Sequence, residues 1–206
     1  MEIESGLFLH SNYLDIDQQH RLSESIRAVV QKAPLFTPTM PKTGKPFTVK
    51  MSNCGPLGWV SDKDGYRYQT THPVTASAWP PIPEILLQLW NDLADTPLKP
   101  QACLINHYHP TAKMGLHQDK DEEVFTTPVV SVSLGDDCLF RIGGTKRGGP
   151  TRSFHLRSGD VLVMGGASRM AYHGVDRIFP GTSTLLRAPG RINLTLRRVT
   201  KPDPAI

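Results

Sequence analysis

The chain has 206 residues, 38% hydrophobic and 20% charged, enough for one core of ordinary size and a composition that suits a soluble globular protein. No apolar run approaches the roughly 20 residues needed to span a membrane, and Met1–His10 lacks a basic segment followed by an apolar one, so neither an anchor nor a secretory leader is expected. The net charge of +4 is unevenly placed: Arg141–Ile206 carries twelve Lys or Arg against Asp160, Asp176 and Asp203, which suits either a polyanionic partner or an ordinary solvated surface.

In chain order, Leu22, Ile26, Val29 and Val30 fall at helical spacing between Asp15 and Lys32, with Asp15 or Asp17 as the cap and Pro34 as the stop. Pro34–Pro46 reads as irregular, Phe47–Met51 as a short strand, and Asn53-Cys54-Gly55-Pro56 as a turn. Trp59–Tyr68 reads as a hairpin about Asp64-Gly65. Pro80-Pro81-Ile82-Pro83 opens a second helix with the stripe Ile85, Leu86, Leu89, Trp90 and Leu93. Strand signals then dominate: Ala102–Tyr108, Pro128–Leu134, Cys138–Ile142, Ser153–Leu156, Asp160–Met164 and Arg191–Arg197, most of them separated by Gly-rich turns. Many short strands with such punctuation predict a mainly β sandwich or barrel-like roll. One domain over residues 1–206 is expected, with its β core from about residue 100 and the N-terminal half laid over it.

Chemistry concentrates in Leu116-His117-Gln118-Asp119-Lys120-Asp121. On extended backbone, positions two apart point to the same side, so His117 and Asp119 would face a common point. That is two thirds of a 2-His-1-carboxylate site for Fe(II); the alternative is a charged surface loop. Among possible third ligands His10, His20 and His72 lie in polar or helical contexts, His107, His109 and His155 remain open, and His173 is the best placed. It follows the Asp160–Met164 strand and its Gly turn, and Gly174 leaves the backbone room beside it. In Arg191-Ile192-Asn193-Leu194-Thr195-Leu196-Arg197, a strand would send two guanidiniums, an amide and a hydroxyl to one face. That face is either solvated or built round an anion, for which a dicarboxylate would suit. Cys54, Cys103 and Cys138 are odd in number and widely spaced, which argues against a disulfide framework or zinc-thiolate site and for a reducing compartment.

These motifs, with Ala102–Tyr108, Ala112–Glu122, Val130–Gly135 and Asn53–Trp59, resemble the AlkB family of Fe(II)/2-oxoglutarate dioxygenases over most of the chain from about Phe47 to Arg198. Within the family, the bacterial alkylation-repair members look most similar. The resemblance implies a mainly β (α+β) chain: a double-stranded β-helix, or jelly roll, over residues 101–200, with helices and a nucleotide-recognition lid over 1–100. It implies Fe(II) on His117, Asp119 and His173. Arg191 would grip the far carboxylate of 2-oxoglutarate, helped by Tyr108 and Asn193, with Arg197 and Asn106 near the metal-bound end and O2 as the second co-substrate. Trp59 would stack on the target base opposite His117, Tyr66 and Tyr68 would line the lid, and Met51 would touch the base.

Asp121, two positions past the iron-binding Asp, has a physical role available, since a carboxylate favours a cationic methylated base over a neutral one. Arg147 matches a family position near the substrate; Lys120, Lys146 and Arg152 are further candidates for phosphate contacts or are plain surface charge. The sequence departs from the bacterial pattern at His107, Met164, Ile192 and Leu196, which bears on the shape of the pocket wall. The implied activity is oxidative demethylation of 1-methyladenine and 3-methylcytosine in DNA, a direct-reversal repair that releases formaldehyde, succinate and CO2. The implied setting is a cytoplasmic monomer, free of membranes, acting on single-stranded DNA in preference, with RNA possible. The alternatives are a related dioxygenase acting on RNA or protein, and a catalytically silent nucleic-acid-binding module.

Overall fold

The computed structural model describes residues 1–202; Asp203, one of the few acids of the basic half, lies outside the described residues. In chain order the elements are β1 (Glu2–Glu4), β2 (Leu7–His10), α1 (Ile16–Lys32), β3 (Lys50–Cys54), β4 (Gly58–Asp62), β5 (Gly65–Gln69), α2 (Glu84–Leu93), β6 (Ala102–Tyr108), β7 (Met114–His117), β8 (Val129–Gly135), β9 (Asp137–Gly143), β10 (Thr151–Leu156), β11 (Val161–Met164), β12 (His173–Phe179) and β13 (Arg191–Arg197). A seven-stranded sheet runs β1-β2-β11-β8-β13-β6-β3, a four-stranded sheet runs β10-β9-β12-β7, and β4-β5 form a separate hairpin. All pairings within these sheets are antiparallel.

Alternation along the strands builds the layers. Leu104 and Tyr108 of β6 and Leu162 and Met164 of β11 meet Phe140 and Ile142 of β9, Leu156 of β10 and Val175 of β12 in one cluster shared by the two sheets. The intervening residues, Cys103, Ile105, Val130, Val132, Leu134, Leu194 and Leu196, face the other way, onto Leu22, Ile26 and Val29 of α1 and Leu86, Leu89 and Trp90 of α2. The result is a jelly roll whose larger sheet is buried on both faces, so its central strands tolerate polar side chains only where those find partners.

Asp15, rather than Asp17, caps α1. Its carboxylate accepts from the Gln18 amide at 2.7 Å while the Gln18 side chain accepts from the Asp15 amide at 2.9 Å, a reciprocal capping box. The strand expected at Phe47–Met51 begins at Lys50 and runs to Cys54, so Asn53 and Cys54 belong to β3 and the turn is confined to the residues after them. Four strands lie outside the sequence-based expectation. β1 and β2 are short, β7 is only four residues, and β12 carries register shifts between His173 and Val175 and between Val175 and Arg177 that break its alternation. The first hundred residues also do more than lie over the core, since β1, β2 and β3 belong to the seven-stranded sheet itself. Replacing Asp15 with Ala should lower stability by about 1 kcal/mol in urea titrations, whereas the same change at Asp17 should cost under about 0.5 kcal/mol.

Candidate metal centre

β7 and β12 are neighbours in the smaller sheet, and their register sets His173 directly opposite His117. This pairing needs Gly174. A Cβ there would stand 2.5 Å from the Met114 carbonyl oxygen and 2.9 Å from that of Gly115, so a side chain would push the two strands apart. Two residues beyond the end of β7, Asp119 turns inward. One potential ligand atom from each of His117, Asp119 and His173 lies within 4.8 Å of the others. The Nε2 of His117 is 3.6 Å from Asp119 Oδ1, and that of His173 is 3.8 Å from Oδ2. Each imidazole has its Nδ1 3.0 Å from a backbone carbonyl, Gly115 for His117 and Ala171 for His173. A carbonyl can only accept, so Nδ1 carries the proton and the Nε2 lone pairs face the common point.

Charge favours a cation there. Burial pushes the Asp119 carboxyl up, but Arg197 above all, followed by His173, His117 and Arg169, holds it well below the usual carboxylate range. Burial, reinforced by the neighbouring His117, pushes His173 down to about 4. The centre at neutral pH is therefore an anionic oxygen and a neutral His173 imidazole. Arg197 Nη2 lies 2.7 Å from Asp119 Oδ2, yet that oxygen receives no well-directed hydrogen bond and keeps its accepting capacity. A buried carboxylate with an unused lone pair beside two imidazoles is a donor set that suits Fe(II).

The polar face of β13 points into the same cavity, of about 610 Å³, which Arg191, Asn193, Thr195 and Arg197 line together with Asn106 and Tyr108 of β6. It is not a solvated face. Arg191 is only 1% exposed. Its Nη2 donates to Ser133 Oγ at 2.6 Å, Nη1 reaches the Asp136 carbonyl at 3.5 Å, and Nε has no partner. The nearby Asp136 carboxylate is committed to the amides of Ser183 and Gly190. Asn106 Nδ2 donates to Asn193 Oδ1 at 3.3 Å, while Asn106 Oδ1 is buried and unpartnered. Burial, opposed in part by Arg191, pushes the Tyr108 hydroxyl well up, so it stays protonated. A buried cation, an unsatisfied amide and a protonated phenol beside the metal ligands fit a bound dicarboxylate such as 2-oxoglutarate.

Met51, Trp59, Tyr66, Lys120, Asp121 and Arg147 line the same cavity. The Trp59 indole donates to Asp121 Oδ2 at 2.8 Å, and its ring stacks on Tyr66 at 5.7 Å and 17°. The Arg147 guanidinium lies 5.3 Å over the Tyr172 ring. Tyr68 departs from its expected place in the lid. It is not among the cavity-lining residues: it shares a face of β5 with Tyr66, but where the Tyr66 ring stacks on Trp59, the Tyr68 hydroxyl donates to Glu122 at 2.5 Å and accepts from Arg197 at 2.9 Å. Arg152 is likewise engaged elsewhere, with the Ile3 carbonyl and Glu4.

The departures from the bacterial pattern sort themselves by face. Ile192 and Leu196 pack toward the helices, and His107 does not line the cavity, so Met164 alone of the four alters its wall. The other histidines have local roles: His72 holds the Pro34 carbonyl and the Val74 and Thr75 amides, and His155 stacks on Phe179. Sequence reasoning did not find Glu122 or Arg169, both buried behind Asp119. In the sequence Glu122 is one of three successive acids, which read as surface, and Arg169 has no periodicity to mark it.

A model of the 2OG-Fe(II) oxygenase superfamily matches residues 6–197. The chain is 48% identical over 198 residues to an alpha-ketoglutarate-dependent dioxygenase AlkB homolog of Caulobacter vibrioides, covering 96% of this chain and 90% of the relative. It is 40% identical to the alpha-ketoglutarate-dependent dioxygenase AlkB of Escherichia coli, covering 89% and 86%. The solved structure of OsALKBH1 shares the fold with a TM-score of 0.82 at 32% identity, covering 96% of this chain and 99% of that one.

A pH dependence follows from His173. Its folded-state value lies below the ordinary 6.5, at about 4, so the unfolded chain takes up the proton first as pH falls. Its contribution is present above pH 6.5 and is lost on acidification toward pH 4. Metal-free protein should therefore unfold more easily as pH falls through this window, and His173→Gln should flatten that dependence in thermal melts.

Proposed function

The chain belongs to the 2OG-Fe(II) oxygenase superfamily and is an AlkB-type dioxygenase, and from that premise we propose that it demethylates 1-methyladenine and 3-methylcytosine in DNA. The observation that carries this reading is the Asp121 carboxylate, hydrogen-bonded to the Trp59 indole in a cavity whose inner end holds His117, Asp119 and His173. Methylation at N1 of adenine or N3 of cytosine consumes a ring lone pair and leaves the base cationic. A carboxylate beside it favours that cation over the normal neutral base.

The roles follow from chemistry and position. His117 Nε2, His173 Nε2 and an Asp119 oxygen would hold Fe(II). Arg191 would pair with the distal carboxylate of 2-oxoglutarate, with Tyr108 and Asn193 alongside and Asn106 and Arg197 at the end nearer the metal. When bound, Fe(II) with 2-oxoglutarate and O2 supplies the chemistry that hydroxylates the N-methyl carbon, giving succinate, CO2 and, as the hydroxymethyl group leaves the base, formaldehyde. Trp59 offers a ring face, worth roughly 1–3 kcal/mol per stacked base, and Met51 an apolar wall. Tyr66, now on Trp59, is the side chain a base would displace or slide beneath. Arg147 and Lys120, both lining the cavity, would meet the phosphates of the strand.

Because the base must leave its stack to reach the cavity, single-stranded DNA is the preferred partner. A monomeric single domain in the cytoplasm is the setting we infer, in keeping with three buried free thiols. No described helix is long and apolar enough to cross a membrane.

The test is mass spectrometry of single-stranded oligonucleotides carrying 1-methyladenine, 3-methylcytosine or the neutral 1-methylguanine, with iron and 2-oxoglutarate supplied. The cationic lesions should be repaired fastest, and faster turnover of ribo-oligonucleotides would reassign the substrate to RNA. His117→Ala or Asp119→Ala should abolish succinate formation. Asp121→Ala should reduce turnover of the cationic bases roughly three- to tenfold more than that of the neutral one; equal losses would remove its electrostatic role.

A further inference from the structure

Behind Asp119 four charged side chains close into a ring. Arg197 reaches Asp119 Oδ2 through Nη2 at 2.7 Å and Glu122 Oε1 through Nη1 at 3.0 Å. The other Glu122 oxygen meets Arg169 Nη2 at 3.1 Å. Arg169 then returns to the start, since its Nη1 donates to the backbone carbonyl of Asp119 at 2.8 Å and its Nε to that of Thr127 at 3.1 Å. The Glu122 side chain is wholly inaccessible and that of Arg169 is 2% exposed. Two acids and two guanidiniums alternate, so the ring is neutral, which offsets much of the cost of burying it. Tyr68 attaches to it from outside. Its hydroxyl bonds to both Glu122 and Arg197, and it sits opposite Trp59 in the β4-β5 register.

We propose that Glu122 and Arg169 are positioning residues for Asp119, and that Tyr68 extends their ring to the hairpin that carries Trp59 and Tyr66. Glu122 occupies one arm of Arg197, so only the other arm reaches Asp119. The guanidinium is thereby kept from straddling both carboxylate oxygens, and Oδ1 stays free on the side of His117. Glu122 also answers part of the Arg197 charge, which leaves Asp119 a stronger donor toward a cation. Arg169 fixes the same residue from its main chain. Through Tyr68 the surface that would hold the base and the carboxylate that would hold the metal belong to one hydrogen-bonded frame.

This inference rests on Asp119 and His117 being metal ligands, and the experiment separates the two ideas. The full chain is titrated with Mn(II) and free metal is followed by its electron paramagnetic resonance signal, with thermal melts confirming the fold. Glu122→Gln should bind Mn(II) about tenfold more weakly, the usual effect of removing a group that orients a ligand, and Glu122→Asp should recover part of the loss. Arg169→Lys, which keeps the charge but cannot reach Glu122 and the Asp119 carbonyl together, should weaken binding similarly and serves if Glu122→Gln does not fold. Tyr68→Phe should lower formaldehyde released per succinate by about threefold, the worth of one hydrogen bond. Glu122→Gln and Arg169→Lys affinities within twofold of the parent would overturn the positioning role, and unchanged coupling in Tyr68→Phe would overturn the link to the hairpin. Undiminished Mn(II) binding by His117→Ala would instead overturn the ligand assignment beneath it.

Discussion

A guanidinium sealed inside a protein without an anion is costly, and Arg191 is such a group. It is almost fully buried, its Nε has no partner, and the acid beside it is already spent on backbone amides. Desolvating a charge costs several kcal/mol even after relaxation, and only a well-placed counter-charge recovers that. Arg197, six positions along the same strand, has two carboxylates to meet it. The contrast gives the inner face of β13 its meaning: one end is neutralised by Asp119 and Glu122, while the other end is left to a ligand.

The fold makes this possible by burying β13 twice. Leu194 and Leu196 pack on the helices, and the alternate residues enter the roll. The facing sheet brings β7 and β12 side by side, with Gly174 permitting the close approach that sets His117 against His173. The candidate metal ligands thus come from one sheet and its outgoing loop, and the groups that would hold an anion from the other. Their meeting point is the cavity between the sheets, which Trp59 and Tyr66 of the β4-β5 hairpin also line.

Much of this was legible in the sequence where one periodicity ran undisturbed. β13 coincides with its expected span because strict polar–apolar alternation extends over all seven residues, β6 because the apolar run Ala102–Ile105 opens a strand buried on both faces, and α1 announced itself through Asp15 and its apolar stripe. β12 stayed hidden because its register shifts spoil the alternation, and β7 because four residues are too few to show one. Charges misled in both directions. Glu122 reads as one of three surface acids and is buried against two arginines, whereas Arg152, open to either a phosphate contact or plain surface charge, lies half-exposed against the N-terminal strand. Tyr68 shows the same weakness, since the resemblance set it beside Tyr66 in the lid, and only its partners Glu122 and Arg197, distant in the chain, draw its hydroxyl elsewhere. Burial of a charge depends on partners distant in the chain, here 47 residues for Glu122 and Arg169, and no local pattern encodes that.

The central claim is that Arg191 is held ready for the distal carboxylate of the co-substrate. Calorimetry on the Mn(II)-loaded chain, comparing 2-oxoglutarate with 2-oxobutyrate, which lacks only that carboxylate, tests it most directly. The account predicts binding of 2-oxoglutarate about a hundredfold tighter, as expected for a pair of charge-assisted hydrogen bonds, with the preference erased in Arg191→Met. Equal affinity for the two acids, or a preference that survives in Arg191→Met, would contradict it.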